Sequence, residues 1–104
     1  MQMAHERLDV YKVALEVGQW TLKAKWPKGT YDLKTQAIRA AASISLNIAE
    51  GSRRRGKAQA HHFEIARGSA AETLTVFQLV DLPGGKAQQH KLRRIDRMLQ
   101  KMGG

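Results

Sequence analysis

The stretch ASISLNIAEGSRRRG, Ala42 to Gly56, decides how the whole chain is read. Ala42 to Ala49 mix small and apolar residues at helical spacing, Gly51 follows, and then Arg53, Arg54 and Arg55 stand in a row before Gly56. A glycine just past the last periodic residue is a signal for a helix C-terminus. Apolar periodicity resumes beyond Gly56, so the stretch reads as the corner between two helices. The same reading extends outward in both directions. Pro27 and Pro83, each close to glycine, join Gly51 and Gly56 in cutting the sequence into four helical segments. Helices are predicted over about 6–25, 32–50, 57–82 and 87–102. With no strand-like alternation, internal repeat or low-complexity tract, the prediction is an all-α, up-and-down four-helix bundle forming a single domain, 1–104.

The composition narrows the function classes. A chain of 104 residues suits one hydrophobic core. Its 42% hydrophobic and 26% charged residues argue for a folded body, and its 6% aromatics for an aliphatic, alanine-rich interior. Eighteen Lys and Arg against nine Asp and Glu give a net charge of +9, which favours phosphate-rich or acidic partners. The absence of cysteine removes disulfides, thiolate nucleophiles and cysteine-ligated zinc. No apolar signal core follows Met1, and no segment approaches the ~20 apolar residues of a membrane span. A soluble cytoplasmic protein, not bound to membranes, is expected.

Within the first segment two apolar stripes compete. Leu8, Tyr11, Leu15, Gly18 and Leu22 form a bundle-core seam at spacings of three and four. Val10, Val13, Val17, Trp20 and Ala24 follow the same rule roughly 155° around the helix. One stripe suffices inside a small bundle, so the second requires another cover, and self-association is the simplest. Val10, Val13, Val17 and Trp20 are therefore the expected oligomer interface, joined by Leu46, which interrupts the polar side of the second helix. Gly18 and Gly68, both in helix interiors, point to tight helix crossings.

The third segment carries the seam Phe63, Ala66, Ala70, Thr73, Phe77 and Val80, and the fourth Leu92, Ile95, Leu99 and Met102. Beside the former, Ser69 and Glu72 lie between apolar residues, where an unpaired carboxylate is costly. Together with Asn47 and Glu50 they are expected to form a structural polar network linking the second and third helices, rather than a catalytic pair, because no third partner is present.

These residues also carry a family resemblance. Leu8-Asp9-Val10-Tyr11 with Ala14, Trp26-Pro27, Leu33-Lys34-Thr35-Gln36 with Ile38-Arg39-Ala40-Ala41, Ser43-Ile44, Asn47-Ile48-Ala49-Glu50-Gly51, and Ile65-Ala66-Arg67-Gly68-Ser69 with Glu72 occur in order. The chain resembles the four-helix-bundle proteins encoded in intervening sequences of bacterial 23S ribosomal RNA genes, which are grouped with the accessory variability determinant of diversity-generating retroelements. The resemblance implies a basic bundle assembled into a ring-shaped homopentamer, and for the retroelement branch binding to nucleic acid and to a reverse transcriptase. Two departures stand out. The family pattern reads Ser-Ile-Pro-Ala-Asn where this chain has Ser45-Leu46 before Asn47, and its linker to the fourth helix is longer than Leu82-Pro83-Gly84-Gly85.

Candidate functional residues follow from charge. Arg53, Arg54, Arg55 and Lys57 at the corner, with Arg94, Arg97 and Lys101 on the basic face of the fourth helix, are the expected contacts to phosphate, since guanidinium geometry matches phosphate and released counterions drive association. The competing reading is a solvated interhelical turn. Few aromatics are available for base stacking, so sequence-independent binding of RNA or DNA is the form this composition supports. The alternative is a scaffold for an acidic partner or a reverse transcriptase, with no direct nucleic-acid role. No metal site is expected: His61 and His62 are adjacent and diverge by about 100° on a helix. Gly84-Gly85-Lys86 lacks the strand and spacing of a nucleotide loop. Neither a cofactor nor an enzymatic activity is expected.

Overall fold

The structure, a computed structural model, describes residues 2–104. A 3-10 turn, Ala4–Arg7, precedes four helices: α1 (Asp9–Lys23), α2 (Tyr31–Ser52), α3 (Gly56–Leu79) and α4 (Gly85–Lys101). The described residues contain no strand. Successive helices run antiparallel. Gln36 of α2 meets Glu72 of α3 at one end, and Asn47 meets His62 nearer the other. Arg67 of α3 reaches Asp96 of α4, whereas Phe77 receives a bond from Gln89. The circle closes where Lys91 of α4 approaches Glu16 of α1.

The helices form where the sequence offers a continuous apolar stripe, and the stripe of α3 is the clearest. Phe63, Ala66, Ala70, Thr73, Phe77 and Val80 are all buried, and Leu92, Ile95 and Leu99 of α4 face them in the common core. On α4 only Met102 of the predicted seam falls outside the core, while Gln88 is buried there. Thr73 and Thr21, at core positions, satisfy their hydroxyls by donating to the carbonyls of Ser69 and Val17 one turn back.

In α1 the two stripes exchange the roles expected of them. Val10, Val13 and Val17, predicted to lie at an oligomer interface, are buried in the core of their own chain, and Trp20 packs edge-on against Phe77 with ring centroids 5.5 Å apart. Of the leucine stripe, Leu8 and Tyr11 pack against the edge of the core, whereas Leu15 and Leu22 face outward, Leu22 being 61% exposed. The reason is volume. In the core the valines share one cluster with Ile44 and Ile48 of α2, Phe63 and Phe77 of α3, and Leu92, Ile95 and Leu99 of α4, and short β-branched side chains fit beside those larger ones.

The corner at residues 51–56 also departs from expectation. Gly51 does not end α2; it is buried inside the helix, which continues to Ser52. A Cβ built on Gly51 would stand 2.7 Å from Phe63 Cε1 and 3.1 Å from His62 Cβ, so its missing side chain lets α3 cross α2 at close range. The chain turns later, and Gly56, with φ +59°, supplies the left-handed residue at the start of α3. Neither Gly18 nor Gly68 marks a crossing within the chain, because a Cβ at either would meet nothing within 4 Å.

Candidate functional site

The basic residues singled out from the sequence are all exposed: Arg53, Arg54, Arg55, Lys57, Arg94, Arg97 and Lys101. The fold places the corner and the C-terminus of α4 at the same end of the bundle, where Met102 shares a surface cleft with Ser52 and Gln59. The two basic segments therefore lie on one end and one flank of the molecule.

They differ in how much of their charge is free. In the corner, Arg54 Nε donates to Glu50 Oε2 at 2.7 Å. That bond and the adjacent guanidinium hold the Glu50 carboxyl below its usual range, with His62 and Arg53 adding to the effect. Glu50 is thus the local counter-ion of Arg54 and stands outside the polar network expected of it. Gln59 secures the corner's backbone, donating 3.0 Å bonds to the carbonyls of Gly51 and Arg54. Arg53, Arg55 and Lys57 remain without an ion-pair partner among the described residues.

Glu50→Gln is expected to act in two ways. Because the Glu50 pKa is depressed in the folded chain, its contribution to stability is present above the unfolded carboxyl's range and is lost as pH falls through the folded value. The variant should therefore lose a small increment of stability at neutral pH and none at strongly acidic pH, read from thermal melts at both. It also frees Arg54, so low-salt affinity for a polyanion should rise rather than fall.

On α4 the free charge is greater and more ordered. Lys86, Arg93, Arg94, Arg97 and Lys101 are exposed, as is His90, and none of the five cations has an ion-pair partner among the described residues. At ~100° per residue they fall within an arc of about 100°, and at ~1.5 Å per residue they span roughly 22 Å. Lys86 and Arg93 were not singled out from the sequence, although the spacing 86, 90, 93/94, 97, 101 was there to read.

The acid of α4, Asp96, does not neutralise this ridge. It is turned toward α3, where Arg67 Nε donates to its Oδ1 at 2.8 Å and Nη2 approaches its Oδ2 at 3.5 Å. The Asp96 bond raises the Arg67 pKa further above its ordinary value, and Arg67 Nη1 also donates to the carbonyl of Gly104 at 3.0 Å. Arg67 and Asp96 thus lock the end of α4 onto α3 and leave the ridge facing water.

The polar network between α2 and α3 exists in modified form. Ser69 Oγ donates to Ser43 Oγ at 2.9 Å, Asn47 Nδ2 donates to the Ser43 carbonyl at 2.9 Å, and Asn47 Oδ1 lies 3.1 Å from His62 Nδ1. Glu72 accepts from Gln36 Nε2 at 3.1 Å. The residues missed from sequence, Ser43, His62 and Gln36, pair across 15 to 36 positions, a separation that no local spacing reveals. No nucleophile, base and orienting group line up in this network. With Nδ1 engaged by Asn47, His62 acts as a link between helices.

A second surface feature lies between α1 and α2. Leu15, Gly18 and Leu22 face Ile38, Ala42 and Leu46 across an open groove of about 320 Å³. Leu46, expected at an interface, forms part of its wall and is 68% exposed. No described helix is long and apolar enough to cross a membrane.

A search of curated proteins found no match. The family model described as 23S rRNA-intervening sequence protein matches residues 6–102, which spans all four helices. By that match the chain belongs to the family of 23S rRNA-intervening sequence proteins.

Proposed function

We propose that this protein is a non-enzymatic, oligomeric bundle that binds nucleic-acid backbone without sequence specificity. The observation that carries the reading is the ridge on α4: five exposed cations on one face, with the helix's acid drawn away to Arg67. Such a ridge attracts a polyphosphate along its length, and each neutralised phosphate releases condensed counterions. Its cations are strung along the helix as a track of charge, an arrangement that favours contact with successive phosphates over readout of base edges. The exposed corner cations Arg53, Arg55 and Lys57 extend the same field around one end of the bundle. Assembly of several copies would repeat the ridge and multiply weak contacts through avidity.

The alternative is a scaffold that offers the ridge to an acidic protein or to a reverse transcriptase. A salt titration separates the two. Duplex RNA and DNA are titrated by fluorescence anisotropy from about 50 to 200 mM salt; five neutralised phosphates give a log–log slope of about −4.5 and a ~500-fold loss of affinity across that range. RNA and DNA duplexes of unrelated sequence should bind within a few-fold of one another. Absence of binding at low salt would remove the nucleic-acid reading and leave the scaffold.

A further inference from the structure

The ridge on α4 does not stand beside a smooth wall. Where α4 lies against α3, two open clefts follow the seam between the helices, and cations of the ridge line both. The first, of about 300 Å³, has a floor of Ala70, Leu74 and Leu92 and is flanked by Arg93 and Arg97. The second, of about 380 Å³, reaches Phe77 and Leu82 and is flanked by Lys86. Each volume is at the lower end of the range for small-ligand sites. Their positions along the two helices set them roughly 10 Å apart, at ~1.5 Å per residue.

The chemistry of the clefts says what fits them. The first is apolar at its base, because Ala70 and Leu92 are buried and Ala71 beside them is too small to close it. Its one acid, Asp96, is bonded to Arg67 at 2.8 Å, so the free charge at its rim is that of the two arginines. The second cleft holds Asp81 as well as Lys86, which makes the first the more positive of the two. A flat ring attached to an anion satisfies such a place: the ring covers the aliphatic floor and stacks under a guanidinium plane, and the anion pairs with the guanidinium. A nucleotide is that combination, and it is also the repeating unit of the polyanion that the ridge attracts. In a duplex the bases are paired and stacked about 3.4 Å apart along each strand, so none can reach into clefts roughly 10 Å apart. A single strand is free to turn its bases out.

We infer that the α3/α4 seam is a subsite for unpaired bases, which makes single-stranded nucleic acid the ligand of the ridge: phosphates lie on Arg93, Arg97 and Lys86, and bases of the same strand turn into the two clefts. This rests on the nucleic-acid reading above and narrows its substrate class. A duplex meets the ridge through its phosphates alone. The first cleft offers no side-chain amide or hydroxyl to a base edge, so it holds a base by shape and stacking, and strands of different sequence bind alike.

The test uses the full chain and three DNA probes of equal length, followed by fluorescence anisotropy at about 50 mM salt: a mixed-sequence single strand, a strand of abasic sites, and a duplex. The parent should bind the plain strand about tenfold more tightly than the abasic one, which carries the same phosphates without bases. It should also prefer the plain strand to the duplex. Ala71→Leu fills the first cleft and Gln78→Leu narrows the second; both positions are exposed, so the charge and the bundle are left alone, which thermal melting verifies. The double variant should bind the plain strand no better than the abasic one, with its affinity for the duplex unchanged. A 2-aminopurine in the strand should brighten on binding the parent, as a base does on leaving its stack, and stay dim with the variant. Equal affinity of the parent for plain and abasic strands, or a variant that keeps the parent's affinity and brightening, overturns the base subsite and leaves the phosphate ridge standing. The abasic comparison needs only the parent, so it decides the matter even where a variant melts early. A parent that binds none of the three probes removes the nucleic-acid reading itself.

Discussion

Phe63→Ala is expected to destabilise the bundle by about 3–5 kcal/mol, a large share of the ~5–15 kcal/mol available to a small domain. Phe63 is among the largest fully buried side chains, and its ring lies against the bare backbone of Gly51. Gly51→Ala is expected to destabilise as well, although alanine is the better helix former by about 1 kcal/mol. The added Cβ would meet Phe63 Cε1 at 2.7 Å and Cδ1 at 2.8 Å, distances that force the ring or the helix to move. Overpacking of this kind costs about 1–3 kcal/mol and outweighs the propensity gain. The two effects share one contact, so they should not add. In the Phe63→Ala background both ring contacts are gone and only His62 Cβ, at 3.1 Å, stays close, so Gly51→Ala should cost much less than it does beside the intact ring. Urea unfolding of the four proteins, followed by circular dichroism, measures the coupling. Additive losses would mean that Gly51 is not held by Phe63.

That same residue marks where the sequence stopped being legible. Read locally, Gly51 after an apolar helix is a stop signal, and only the arrival of Phe63 and His62 from the next helix shows it to be a crossing point. The helices themselves were readable because periodicity is local: every observed boundary lies within three residues of its predicted place. Which stripe of α1 faces inward was not readable, because both satisfy the helical period. The choice depends on the large side chains that α2, α3 and α4 bring to the shared core, a fact about other segments. A ranking by bulk hydrophobicity favours the leucines, whereas the packing favours Val10, Val13 and Val17. The polar network shows the same limit. Asn47 and Ser69 could be marked as polar residues on an apolar flank, yet their partners Ser43 and His62 are defined only once α2 lies beside α3.

The charged sites were legible in position but not in strength. Three consecutive arginines draw the eye to the corner, but a run of adjacent residues fans around the backbone, and one of the three is bonded to Glu50. The cations of α4 are scattered in sequence and aligned in space, and the acid among them serves Arg67. Free charge per unit length is what a phosphate backbone responds to, so the less conspicuous helix is the stronger candidate.

Replacing Arg93, Arg94 and Arg97 together by alanine is therefore expected to weaken nucleic-acid binding more than replacing Arg53, Arg54 and Arg55. All three α4 arginines are exposed and unpaired, so their loss should leave the melting temperature nearly unchanged and remove up to three phosphate contacts. The log–log salt slope should then fall in magnitude by about 2.7, and the change in affinity between about 50 and 200 mM salt should shrink ~40-fold. In the corner Arg54 already spends part of its charge on Glu50, so the slope should fall by nearer two contacts, about 1.8. Duplexes of different sequence should lose affinity in parallel, because contacts to phosphate position a strand without selecting it. Binding that fails for one sequence and persists for another would point to base readout and contradict a backbone-only ridge. If the corner variant loses more slope than the α4 variant, the arginine turn is the principal contact, and the ridge on α4 serves only to raise the local field.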